Sequence, residues 1–72
     1  MSFNGFYQRL GKIIRKHRIR KNYSQEYVAD ASQVDRTYIA RIESGKANPS
    51  IKVLYKIAKI FELPLGEFLK EL

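Results

Sequence analysis

The chain has no cysteine, no tryptophan and a single histidine. Disulfide staples are therefore excluded, and His17 alone cannot supply the four ligands of a structural zinc site. A chain of 72 residues without either staple reads as one domain over residues 1–72, because two smaller pieces could not each bury a core. Missing cysteine suits a reducing compartment. No apolar run approaches the roughly 20 residues of a membrane span. Met1-Ser2-Phe3-Asn4 also lacks the basic then apolar opening of a signal peptide. A soluble, cytoplasmic protein with no membrane role is the expectation. Catalytic signals are absent as well: there is no thiol nucleophile, no histidine beside a carboxylate and no glycine-rich phosphate loop. No enzyme activity, catalytic residue, metal, cofactor or small-molecule substrate is expected.

Acidic residues are missing from the first 23 positions, which hold Arg9, Lys12, Arg15, Lys16, Arg18, Arg20 and Lys21. The remainder balances seven bases against seven acids, so the whole net charge of +7 sits at one end. A one-ended cationic field favours a polyanionic partner. A merely solvated helix face would carry the same charges.

What the chain does have is helical periodicity. Phe3, Phe6, Tyr7, Leu10, Ile13, Ile14 and His17 recur at three- and four-residue intervals, predicting an amphipathic helix over residues 3–21 that stops near Asn22. Ser24 caps a second helix that buries Val28 and Ala29, and Asp35 caps a third that buries Ile39 and Ile42 and stops at Gly45. Ser50 caps a fourth, whose apolar residues Ile51, Val53, Leu54, Ile57, Ala58, Ile60 and Phe61 occupy more than one stripe, predicting a central helix covered on most sides. Pro64 begins a fifth, with Leu65, Phe68, Leu69 and Leu72 on one face. No period-two strand pattern appears. The expected fold is all-α: a compact five-helix bundle.

Residues 24–44 form the informative unit, two short helices joined by a tight turn. Steps of about 100° per residue put Arg36, Thr37, Ala40 and Arg41 on the outer side of the third helix, with Tyr38 and Glu43 on its flanks. An arginine can bond guanine O6 and N7 together, a threonine can meet a base edge or thymine methyl, and a small alanine lets the backbone come close. Arg36, Thr37 and Arg41 are therefore the candidate base readers of double-stranded DNA. Gln25, Tyr38, Ser44, Lys46 and Asn48 are candidate contacts to the sugar-phosphate backbone. RNA is disfavoured, since an A-form major groove is too narrow for such a helix.

From Ile14 to Phe68 the chain resembles the Cro/CI-type (XRE) helix-turn-helix family. The matching residues are Arg18, Ser24-Gln25, Ala29, Val34, Ile39, Ile42-Glu43, Gly45, Asn48-Pro49-Ser50 and Ala58. The resemblance implies a lambda-repressor-like fold, DNA contacts from Gln25, Arg36, Thr37 and Arg41, and a structural ion pair between Arg18 and Glu43. The last also follows from position, because Glu43 flanks the third helix toward the core edge and Arg18 stands near the end of the first. Three residues depart from the family pattern: Gln33 occupies the turn position usually given to glycine, and His17 and Tyr23 replace leucines. A left-handed Gln33 would carry roughly 1 kcal/mol of strain. Val34-Asp35-Arg36-Thr37-Tyr38-Ile39 further resembles the controller proteins of restriction-modification systems, small homodimeric regulators. A phage-type repressor, or an antitoxin-like module that docks a protein, competes with that reading.

The apolar strip of residues 50–72 completes either the monomer core or a homodimer interface through Val53, Ile60, Leu65, Phe68 and Leu69. A two-fold dimer would place two recognition helices about 34 Å apart on a palindromic operator. RNA polymerase is a further candidate partner, with Glu26, Asp30 or the acidic end of the fifth helix as the candidate surface.

Overall fold

The computed structural model describes residues 3–72, with side chains from residue 5 onward. Met1, Ser2 and the side chains of Phe3 and Asn4, where the expected chain opening and the first apolar position of helix 1 fall, lie outside the described residues. The helices are α1 (Phe3–Arg20), α2 (Gln25–Ser32), α3 (Arg36–Glu43), α4 (Ile51–Ile60) and α5 (Leu65–Leu69), with no strand among the described residues.

Three helices start on the predicted side-chain caps. Ser24, Asp35 and Ser50 hold extended backbone, and their side-chain oxygens accept from the N–H groups of Tyr27 (2.9 Å), Thr37 (3.2 Å) and Val53 (3.2 Å). Such a cap contributes about 1 kcal/mol. The ends of α1 to α4 share one device. Asn22, Gln33, Gly45 and Glu62 lie at φ of 60°, 62°, 77° and 60°. The N–H of the following residue then bonds back to Arg18, Ala29, Arg41 and Ala58 respectively, at 2.8–3.1 Å. This satisfies carbonyls that the helix end would otherwise orphan. Gln33 thus keeps the left-handed geometry that glycine would adopt without strain, while Glu62 carries no residue signal for that role.

Leu10, Ile13, Ile14, Val28, Ala29, Ile39, Ile42, Leu54, Ile57, Ala58, Phe61 and Phe68 form one buried core. Gly11 explains how closely α1 and α3 approach: a Cβ there would strike the carbonyl oxygen of Ile42 and lie 2.6 Å from that of Glu43. Ser32, fully buried, returns its hydroxyl to the Val28 carbonyl at 2.6 Å, which satisfies a polar group that burial alone would make costly.

Two expectations are corrected. α4 is not covered on most sides: Leu54, Ile57 and Ala58 face the core, but Ile51 and Tyr55 remain 63% and 55% exposed. Val53 and Ile60, by contrast, are half-buried against the core. α5 is short, ending at Leu69, and beyond it Glu71 reaches α1, where its carboxylate meets Lys16 and lies 2.5 Å from His17 Nε2. The His17 ring packs beside Phe61 and Phe68, with centroids 5.7 and 5.9 Å away, a core-edge placement, and Glu71 gives it the carboxylate neighbour that the residue pattern did not show.

Candidate nucleic-acid interface

α2, the turn at Gln33 and α3 form a rigid unit because both helices are held from inside. Val28 and Ala29 anchor α2, and Ile39 and Ile42, 0% and 1% exposed, anchor α3. With that side fixed, Arg36, Thr37 and Arg41 face solvent, and Ala40 lies half-buried between them. Arg36 and Thr37 open the helix directly after the Asp35 cap. Side chains in the first turn of an inserted helix reach deepest into a groove. Arg41 is partly committed, since its Nη2 donates to the Lys46 carbonyl at 2.9 Å and steadies the loop after α3. That hydrogen bond has no signature in the residue pattern.

The candidate backbone contacts border this face. Ser44, Lys46 and Asn48 are exposed beyond the end of α3. Tyr38 is half-buried and its ring packs on the core. Gln25 opens α2 but is also tied inward, its Nε2 donating to Glu43 Oε1 at 3.2 Å.

Arg18 and Glu43 come together in a two-pronged pair, with Nε to Oε2 at 2.6 Å and Nη2 to Oε1 at 3.0 Å. Nη1 also donates to the Tyr23 carbonyl at 2.9 Å. The Glu43 side chain is only 4% exposed and that of Arg18 14%. A pair so enclosed leaves a stranded charge if one member is removed. Its geometry joins α1, the start of α2 and the end of α3, so it fixes the angle at which α3 is presented.

Of the candidate dimer residues, Phe68 is a correction: at 1% exposure it belongs to the monomer core and has no surface to offer. Its position at the centre of the α5 stripe places it under α5, beside Phe61 and His17. Val53, Ile60, Leu65 and Leu69 are half-buried at the edge of the same core. Residue reasoning missed Ile51 and Tyr55 as surface groups. Ile51, Leu54, Tyr55 and Ala58 stand at i, i+3, i+4 and i+7, so spacing alone put the pair on the buried side and gave no signal of its exposure.

Among the described residues no cluster of His, Asp or Glu could hold a metal ion, and no helix is long and apolar enough to cross a membrane. A helix pair held from within, with a cationic, solvent-facing second helix, defines a helix-turn-helix DNA-binding domain. The helix-turn-helix family profile matches residues 14–68, and the chain belongs to that family, in its Cro/CI (XRE) branch. It is 41% identical over 59 residues to the HTH-type transcriptional regulator SlrR of Bacillus subtilis, an alignment covering 81% of this chain and 39% of SlrR. The chain thus spans about two fifths of that relative's length. Its fold matches the restriction-modification controller protein C.AhdI of Aeromonas hydrophila, with a TM-score of 0.85, 30% identity and coverage of 89% of this chain and 97% of that one. It also matches the controller C.Esp1396I, solved as a tetramer with its natural 35-base-pair operator, with a TM-score of 0.79, 36% identity and coverage of 99% and 96%. These relatives are transcription regulators and DNA-binding controllers, not enzymes, and the chain shares their DNA-binding class.

Proposed function

We propose that the protein is a sequence-specific regulator that binds a palindromic double-stranded operator as a homodimer, and that its role is that of a restriction-modification controller. The carrying observation is the free outer face of α3, where Arg36 and Thr37 stand exposed on a capped helix whose other side is locked in the core. Arg36, Thr37 and Arg41 read base edges in the major groove. Gln25, Tyr38, Ser44, Lys46 and Asn48 hold the backbone on either side.

The size of one chain supports two copies on such an operator. The longest extent of the Cα trace is 32 Å, and it carries one recognition helix, whereas half-sites one turn apart are separated by about 34 Å. The dimer forms through α4 and α5, with Ile51 and Tyr55 joining Val53, Ile60, Leu65 and Leu69. The controller role is supported by the near full-length match to C.AhdI and C.Esp1396I. Exposed Glu26 and Asp30 on α2 are the surface for polymerase. Selection of bound duplexes from a random pool tests the reading. A consensus with two inverted half-sites is expected, and indiscriminate retention of duplexes would overturn it.

A further inference from the structure

Beside the reading face lies a cleft of about 240 Å³ lined by Arg15, Arg18, Gln25, Ala40, Glu43 and Ser44. Its charges are not equivalent. Arg18 and Glu43 neutralise each other through two hydrogen bonds, and the remaining Arg18 fork is spent on the Tyr23 carbonyl. Arg15 makes no ion pair or hydrogen bond among the described residues, so it is the uncompensated charge of the cleft. Gln25 donates one amide N–H to Glu43 and retains the other. Ala40 belongs to the outer stripe of α3 and Ser44 caps its end, so the cleft opens on the side that carries Arg36, Thr37 and Arg41.

From this arrangement we infer that Arg15 of α1 is a phosphate anchor: the cleft seats one DNA backbone phosphate between the Arg15 guanidinium and the free amide N–H of Gln25. The small side chain at Ala40 leaves the entrance open, and a planar guanidinium matches phosphate oxygens two at a time. Seven basic residues crowd the N-terminal end of the chain and look alike in sequence. The cleft takes in two of them, Arg15 and Arg18, and of these Arg18 is already paired with Glu43. Arg20 provides the contrast, exposed on the same helix but about 140° further round and outside the cleft.

The inference rests on the DNA-binding reading, and the test separates the two. Affinities of the full chain for selected and scrambled duplexes are measured from 50 to 200 mM salt, for wild type, Arg15→Ala, Arg15→Lys and Arg20→Ala. Arg15→Ala is expected to weaken both duplexes about tenfold at low salt. It should also lower the log–log salt slope by about 0.9, so that the loss shrinks about threefold across the range. Arg15→Lys should restore the slope, and Arg20→Ala should cost clearly less. Replacing single phosphates by neutral methylphosphonates should find one position that weakens wild type but not Arg15→Ala. An Arg15→Ala protein with wild-type affinity and slope overturns the anchor while leaving the reading intact. Equal losses for Arg15→Ala and Arg20→Ala also overturn it, since they indicate only a general field. Wild type that binds no duplex removes the reading itself, and the anchor with it.

Discussion

α3 turns Arg36, Thr37 and Arg41 to solvent, whereas α4, opened by the same kind of side-chain cap, turns out Ile51 and Tyr55. Each buries a narrow stripe, Ile39 with Ile42 in one and Leu54, Ile57 and Ala58 in the other. What differs is the chemistry left outside. A polar, hydrogen-bonding face loses little by being hydrated between partners and suits the edges of a polyanion. An apolar pair at i and i+4 gains from any contact that excludes water. The contrast teaches that burial alone does not identify a working surface; the two exposed faces must be read by what each could exchange for water.

The comparison breaks most severely if α3 loses its mounting. Arg18→Ala should cost about 3 kcal/mol by stranding Glu43, seen as a thermal midpoint lower by more than about 10 °C. An unchanged midpoint with weakened DNA binding would instead make Arg18 a direct contact. Arg36→Ala leaves the fold alone and should cost about 2 kcal/mol of discrimination at one operator position, checked by repeating the duplex selection. The α4 side is probed by Ile51→Asp, which should shift sedimentation toward monomer and lower operator affinity about tenfold, without moving the monomer's melting. An undisturbed dimer would assign Ile51 to another role.

Smaller effects sharpen the junctions flanking the two helices. Gln33→Gly, before α3, should stabilise by about 0.5 kcal/mol, the relief of left-handed strain exceeding the added chain entropy. Glu62→Gly, after α4, tests the same device, and denaturant midpoints report both. Smallest is Glu71→Gln. The hydrogen bond from Lys16, then that with His17, holds the Glu71 carboxyl below its usual range. A lowered folded-state value makes the contribution present at neutral pH and lost as pH falls through that value. Wild-type and variant melting curves should therefore differ slightly at pH 7 and converge in acid. Divergence in acid would contradict the assignment.

Much of this was legible in the residues. Ser24, Asp35 and Ser50 announced their caps because a short oxygen-bearing side chain before an apolar period has few other uses. The outer face of α3 followed from angular spacing on a short regular helix. Glu62 gave no warning, since glutamate has no preference for the left-handed geometry it adopts where the Leu63 N–H returns to the Ala58 carbonyl. Phe68 and the Ile51–Tyr55 pair were ambiguous for a related reason. Periodicity shows that two apolar residues share a side, while only packing decides which side meets a neighbour. The cleft at Arg15 joins three helices and was invisible to any pattern read along one of them.

Gly11 carries a consequence for how such a molecule can change. With no atom beyond its Cα, it lets the backbone of α1 rest directly on the carbonyls of Ile42 and Glu43. Adding even a methyl group would act as a shim under the far end of the recognition helix, levering its tip through an angle while the core remained largely apolar and closed. A variant of this kind would stay folded yet aim badly, losing its operator before losing its structure.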